Sequence, residues 1–96
     1  MDITVYDKAA WHIDVGVPTA MVLKHFEFIL KWANDHYLLS GDGKEVLEFG
    51  VDESVSLHSN MFTPRGNRFM EMYYDAFISA TEEDTEHLNE ALSKVS

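Results

Sequence analysis

Between Pro18 and Asp35 apolar side chains recur at Val22, Phe26, Ile29, Leu30 and Ala33, and the series continues to Tyr37. Steps of three and four residues lay one stripe along a helix of 3.6 residues per turn. Lys24, Glu27, Lys31, Asn34 and Asp35 fall on the other side, where water solvates them. Glu27 stands four residues before Lys31, the favourable order for a helical ion pair worth about 0.2–0.5 kcal/mol. Pro18 suits the first helical position, because its missing N–H has no partner to lose there. Asn34 and Asp35 tolerate a left-handed turn, after which Tyr37, Leu38 and Leu39 can fold back onto the last helical turn. The rest of the chain is organised around this amphipathic helix.

Upstream the period changes to two. Ile3 and Val5 alternate with polar neighbours, then Trp11, Ile13 and Val15 alternate with His12 and Asp14. The pattern predicts two short strands about a turn at Asp7–Lys8, with Ala9–Ala10 against it. A lone two-stranded hairpin is marginal in water, so it has to lie on the helices. Gly16 ends the alternation.

Downstream, the segments 39–49 and 62–72 match at a constant offset of 23 residues. Each reads apolar, hydroxyl, two variable residues, glycine, two polar, two apolar, glutamate, apolar. Ser40 and Thr63 are placed to cap the free N–H groups of a helix start, with Leu39 and Phe62 as apolar staples before them. Gly43 and Gly66, three residues past each cap, permit another backbone to approach closely. Pro64 strengthens the second start. Two related ligand loops would show the same pattern, but two similarly built helix starts account for it more simply.

The second helix then spans about Gly41 to Phe49 and stops at Gly50. Residues 51–60 fit a short strand or an irregular loop, since Val55 and Leu57 alternate with Ser54, Ser56 and His58. A third helix is expected from Pro64 to about Ala80, with Phe69, Met72, Tyr73, Ala76, Phe77 and Ala80 as its buried stripe. Thr81-Glu82-Glu83-Asp84 resembles a cap and acidic first turn. Leu88, Ala91, Leu92 and Val95 give the last helix a narrow apolar seam. The expected fold is therefore mainly α, with about four helices in one domain over residues 1–96. A short N-terminal β-hairpin or extended element accompanies them, and an α+β arrangement is the alternative.

Composition narrows the function more than the motifs do. An apolar content of 46% with 12% aromatics belongs to a packed core, not to a disordered tail. Seven Lys and Arg against 17 Asp and Glu leave a formal charge of −10. That balance argues against direct nucleic-acid binding, which depends on cations displacing phosphate counterions, and against an anionic membrane surface. With no cysteine there is no disulfide, thiolate nucleophile or Cys-ligated zinc. A signal-peptide pattern and a run of about 20 apolar residues are both lacking, so a cytoplasmic setting of bacterial type is expected.

The five histidines supply no recognised motif. His25 and His36 lie eleven residues apart, and three helical turns span about 16 Å, too far for one metal ion. His12 and His58 have hydroxyls nearby; Ser56 or Ser59 with a histidine and Asp75 would compose a nucleophilic triad. No nucleophile elbow accompanies them. His87, between Glu86 and Glu90, belongs to a solvated face. Gly41-Asp42-Gly43-Lys44 lacks the spacing of a phosphate loop or a dinucleotide site, and a calcium loop set on either glycine has no glutamate at position twelve. Arg65 and Arg68, in the first turns of the third helix, oppose its dipole, and carboxylate partners are expected for them. No metal or cofactor is predicted.

What remains are carboxylates. Asp42, Glu45, Glu48, Asp52 and Glu53 form one cluster; Glu82, Glu83, Asp84, Glu86 and Glu90 form another. Such runs are commonly a solvated face, but an acidic surface also steers a basic partner. The expectation is a non-catalytic protein-binding module of inhibitor, immunity or adaptor type engaging a basic surface, with homo-oligomerisation left open. Its contact residues are predicted as Glu45, Glu48, Asp52, Glu82, Glu83 and Glu86, with Trp32 and Tyr74, off their helices' main stripes, as exposed aromatic anchors. The alternative is a small-molecule or catalytic site built on His12 and His58.

Overall fold

The computed structural model describes residues 3–95 of the chain. Strand β1 (Val5–Lys8) leads directly into a short helix α1 (Ala9–Asp14), and α2 (Thr19–Asp35) follows. Helix α3 (Gly41–Phe49), strand β2 (Ser56–His58), a 3₁₀ turn (Ser59–Met61) and α4 (Pro64–Tyr73) come next. Helices α5 (Ala76–Ser79) and α6 (Glu86–Ser93) complete the order. The mainly helical architecture with a small N-terminal β element is the expected one.

Helix α2 is the structural axis. Phe26, Ile29 and Leu30 are completely buried, with Val22 and Ala33 beside them, as the stripe requires. The Lys31 ammonium meets the Glu27 carboxylate at 2.7 Å on the exposed side. The buried arc is wider than one stripe, because Phe28 and Trp32 are buried as well. Trp32 packs 5.1 Å from Phe69 and 5.6 Å from Phe77, and its Nε1 donates to Asn89 Oδ1 at 3.3 Å. Helices α4, α5 and α6 therefore meet on a second side of α2. The helix ends in a Schellman turn in which Tyr37 donates to the Asn34 carbonyl and Leu38 to that of Ala33. Leu38 and Leu39 fold back into the core, whereas Tyr37 is 87% exposed with φ at 61°.

The two copies of the repeat start helices, and they pair with each other. Ser40 Oγ accepts from the Gly43 amide and Thr63 Oγ1 from that of Gly66. Leu39 and Phe62 form an antiparallel bridge. Across it Ser40 N–H donates to the Met61 carbonyl at 3.0 Å, and Thr63 N–H donates to the Leu38 carbonyl at 2.8 Å. Each glycine presses on the carbonyl the other copy supplies: Gly43 faces Met61 O, Gly66 faces Leu38 O. A shift of 23 residues carries one half of this junction onto the other.

Four local expectations change. β1 does not pair within the first fifteen residues; its antiparallel partner is β2, and Trp11 to Asp14 are helical. The period-two signal there came from a helix only six residues long, and Ala9, completely buried with its amide on the Val55 carbonyl, marks its start. The third predicted helix is two. At Tyr74–Asp75 the winding tightens to i→i+3 bonds, Phe77 N–H to the Tyr74 carbonyl and Ile78 N–H to that of Asp75. Within α4 the buried side is Gly66, Phe69 and Met70, while Met72 is 62% exposed. Thr81–Asp84 does not open the last helix; it closes on itself through Thr81–Asp84 bonds, and α6 begins at Glu86. The seam Leu88, Ala91, Leu92 and Val95 is buried as predicted.

Candidate functional site

Two groupings of polar side chains stand out. The first lies beneath α1. Asp7 is the only buried charged residue among those described, 7% exposed at the end of β1. His12 Nε2 lies 2.8 Å from both carboxylate oxygens, Tyr74 donates its phenol to Oδ2 at 2.5 Å, and the Lys8 amide donates to Oδ1 at 2.8 Å. Burial first, and the bond to Asp7 second, push the Tyr74 phenol far above its ordinary range. Such a phenol is a fixed donor and not a base. His25 lies close enough for Asp7 and His12 to act on it, but burial prevails and holds its imidazole below the usual histidine range. A carboxylate with this many donors is satisfied, and the network ties β1 and α1 to the end of α4.

The second grouping is open. On α3 the residues Asp42, Glu45, Val46 and Phe49 fall at steps of three, four and seven, one helical face. They line one side of a cleft of about 520 Å³ whose other side is Asp52, Val55, His58 and Met61. Phe49 is 80% exposed, and Gly43 is the only buried residue of α3. The Asp52 carboxylate accepts from the hydroxyl and the amide of Ser54, which hold it below the ordinary carboxylate range. His58 Nδ1 is buried with no hydrogen-bond partner among the described residues.

The predicted contact residues separate on this geometry. Glu45 and Asp52 line the cleft together with Asp42, whereas Glu48 is exposed on α3 outside its lining. Glu82 and Glu83 border a different hollow of about 540 Å³ with Met21, His25 and Phe28. Glu86 is exposed at the start of α6. Trp32 is not an exposed anchor: at 4% exposure it is core, since α2 is covered on two sides. Tyr74 is half-buried with its hydroxyl turned inward to Asp7. The exposed large side chains include Tyr37, Phe49, Val15 and Ile78, then Met21 and Met72, with Trp11 half-exposed under the Lys8 ammonium. Phe49 was legible as the apolar end of the 42–45–46–49 face. His12 and His58 serve separate groupings, one bound to Asp7 and the other lining the α3 cleft.

Among the described residues Arg65 meets backbone carbonyls and no carboxylate. Its guanidinium donates to the Val95 and Leu92 carbonyls at 3.3 and 3.4 Å, capping the C-terminal turn of α6. Among the described residues no group of three or more His, Asp or Glu is placed to hold a metal ion, and no helix is long and apolar enough to cross a membrane. No family model, curated protein or solved structure matches this chain.

Proposed function

We propose that this protein is a non-catalytic binding module of inhibitor, immunity or adaptor type, and that it engages a basic protein surface through the α3 cleft. The observation that carries this is the mixed face of α3, where Phe49 stands 80% exposed among Asp42, Glu45 and Asp52. An aromatic anchor ringed by carboxylates is the composition of a contact that excludes water at its centre and steers a cation at its rim. The charge of −10 adds long-range attraction for a basic partner. The histidines contribute little to a catalytic alternative, because His12 is engaged by Asp7 in a network that binds elements together.

A photo-crosslinking amino acid at position 49, compared with the same group at Met72, tests this in the source cell. Capture at 49 of a protein with a basic surface, whose purified form then binds in a salt-dependent way, is the expected result. Equal capture at both positions, or a captured protein without a basic surface, refutes it.

A further inference from the structure

Only every second residue of an antiparallel strand bonds to a given neighbour. For β2 those residues are fixed by two bonds just outside it. The Ala9 N–H donates to the Val55 carbonyl at 3.0 Å, and the Ser59 N–H donates to that of Thr4 at 2.9 Å. Leu57, opposite Asp7, is the residue between them that also faces β1. Ser56 and His58 therefore turn their N–H and C=O groups the other way. Among the described residues the sheet has two strands, and those outward groups meet no hydrogen-bond partner. Both residues line the α3 cleft, together with Ser54 and Val55. A row of unpaired main-chain donors and acceptors is a template for another strand. The outer edge of β1 is blunted by a register shift between Val5 and Asp7 and by the exposed Lys8, whereas β2 carries no Lys or Pro.

We infer that the α3 cleft receives an extended basic segment of the partner, which joins β2 as a third strand and brings Lys or Arg to Asp42, Glu45 and Asp52. This rests on the binding role assigned to the cleft above and adds the form of the ligand. Ser56 and His58 stand two residues apart, about 6.6–6.8 Å along the strand, so one added strand can bond to both. Main-chain bonds of this kind supply affinity whatever the sequence, and the side chains choose the partner. The facing wall mixes Val46 and Phe49 with Asp42 and Glu45, so the segment it selects interleaves β-branched or aromatic residues with Lys or Arg. A helix keeps its main-chain bonds internal and would leave this edge unmet. The Nδ1 of His58, buried without a partner among the described residues, is a further polar group that the added segment can satisfy. A second copy of this chain is a poor occupant, because it brings the same −10 charge to a cleft already lined by carboxylates.

The test is amide hydrogen exchange of the full isotopically labelled chain, with and without the capped peptide Thr-Lys-Val-Lys-Val-Lys-Thr. In the protein alone the Leu57 amide should exchange slowly, and those of Ser56 and His58 about tenfold faster or more. The peptide should shift the signals of Val46, Phe49 and Val55. It should also slow exchange at Ser56 and His58 about tenfold or more while Leu57 stays unchanged. A peptide with glutamate in place of each lysine should do neither. Ser56→Pro deletes one outward N–H and leaves the ladder to β1 in place, so the variant stays folded by circular dichroism and binds the peptide about tenfold more weakly. If the cleft signals shift but exchange at Ser56 and His58 does not change, the added strand is wrong while the basic-partner role stands. If the lysine peptide leaves the cleft unmoved, or the glutamate peptide acts equally, the basic partner is wrong, and this ligand with it. Amides of Ser56 and His58 as slow as that of Leu57 in dilute protein alone would refute the open edge. Protection that grows with protein concentration would give the edge to a second copy and overturn the basic segment.

Discussion

Replacing Gly43 by alanine tests the junction that sets α3 in place. A Cβ on Gly43 would sit well inside contact distance of the Met61 carbonyl oxygen, and 2.9 Å from Leu39 Cδ2. The leucine end can move aside. The carbonyl cannot, because it accepts the Ser40 N–H at 3.0 Å next to the Leu39–Phe62 bridge. Relieving the overlap therefore strains packing by about 1–3 kcal/mol and weakens a hydrogen bond worth about 0.5–1.5 kcal/mol. Against this, alanine restricts the unfolded chain and returns about 0.4–1 kcal/mol. The net is a destabilisation of about 2–3 kcal/mol, or a drop in Tm of roughly 10–20 °C for a domain of this size. Gly66→Ala should behave alike, since its Cβ would meet the Leu38 carbonyl and lie 3.1 Å from Phe62 Cβ. Gly41→Ala is the control: it has open space and no positive φ, so it should be neutral or stabilising. Because both clashes open one bridge, the double variant should lose less than the sum of the two. Urea unfolding with matched m-values is the assay. Gly43→Ala and Gly66→Ala within about 0.5 kcal/mol of the parent, or Gly41→Ala equally damaging, would refute the close-packed junction.

Tyr37→Gly should stabilise the fold by about 0.5–1 kcal/mol in the same assay, because φ of 61° is free for glycine and strained for tyrosine, and the exposed ring loses little packing. Tyr74→Phe should destabilise by about 1.5–3 kcal/mol, the range for hydrogen bonds to a charged group. In an alkaline ultraviolet titration one of the four tyrosines should resist ionisation above pH 10 until the protein unfolds. The folded-state value lies above the unfolded one, so this contribution is complete below pH 10 and lost as pH rises. His25 shifts the other way. Its stabilising neutral form is favoured above the ordinary value of 6.5 and stability declines as pH falls below it, so His25→Gln should flatten that part of the stability–pH curve.

What the sequence revealed was local. The α2 stripe, the Ser40 and Thr63 caps and the stop at Gly50 depend on neighbours a few residues away, and each is present. What it hid depends on distant partners. β1 pairs with residues some fifty positions on, and no local rule ranks that pairing over a hairpin. α1 has no capping side chain to announce it. The break at Tyr74–Asp75 involves neither glycine nor proline, and Tyr74 looked surface-facing because its bond to Asp7 joins the two ends of the chain. Trp32 was misplaced because a helix covered on two sides buries more than one stripe. For the cleft, Asp42, Glu45 and Phe49 were readable as one helical face, but its opposite wall of Asp52, Val55 and His58 depends on a distant segment that no local rule places there.

The central claim, that the carboxylates of the α3 cleft steer a basic partner, is tested most directly by stopped-flow association with the partner captured at position 49. Rates are measured as salt shortens the screening length from about 10 Å at 0.1 M towards 3 Å at 1 M. The account predicts a steep fall in the association rate for the parent protein, and a slower, nearly salt-independent rate for the paired change Glu45→Lys with Asp52→Lys. The matching change of Glu82 and Glu83 to lysine should leave most of the steepness in place. A parent rate indifferent to salt, or a loss of steering on reversal at Glu82 and Glu83 but not at Glu45 and Asp52, would contradict it.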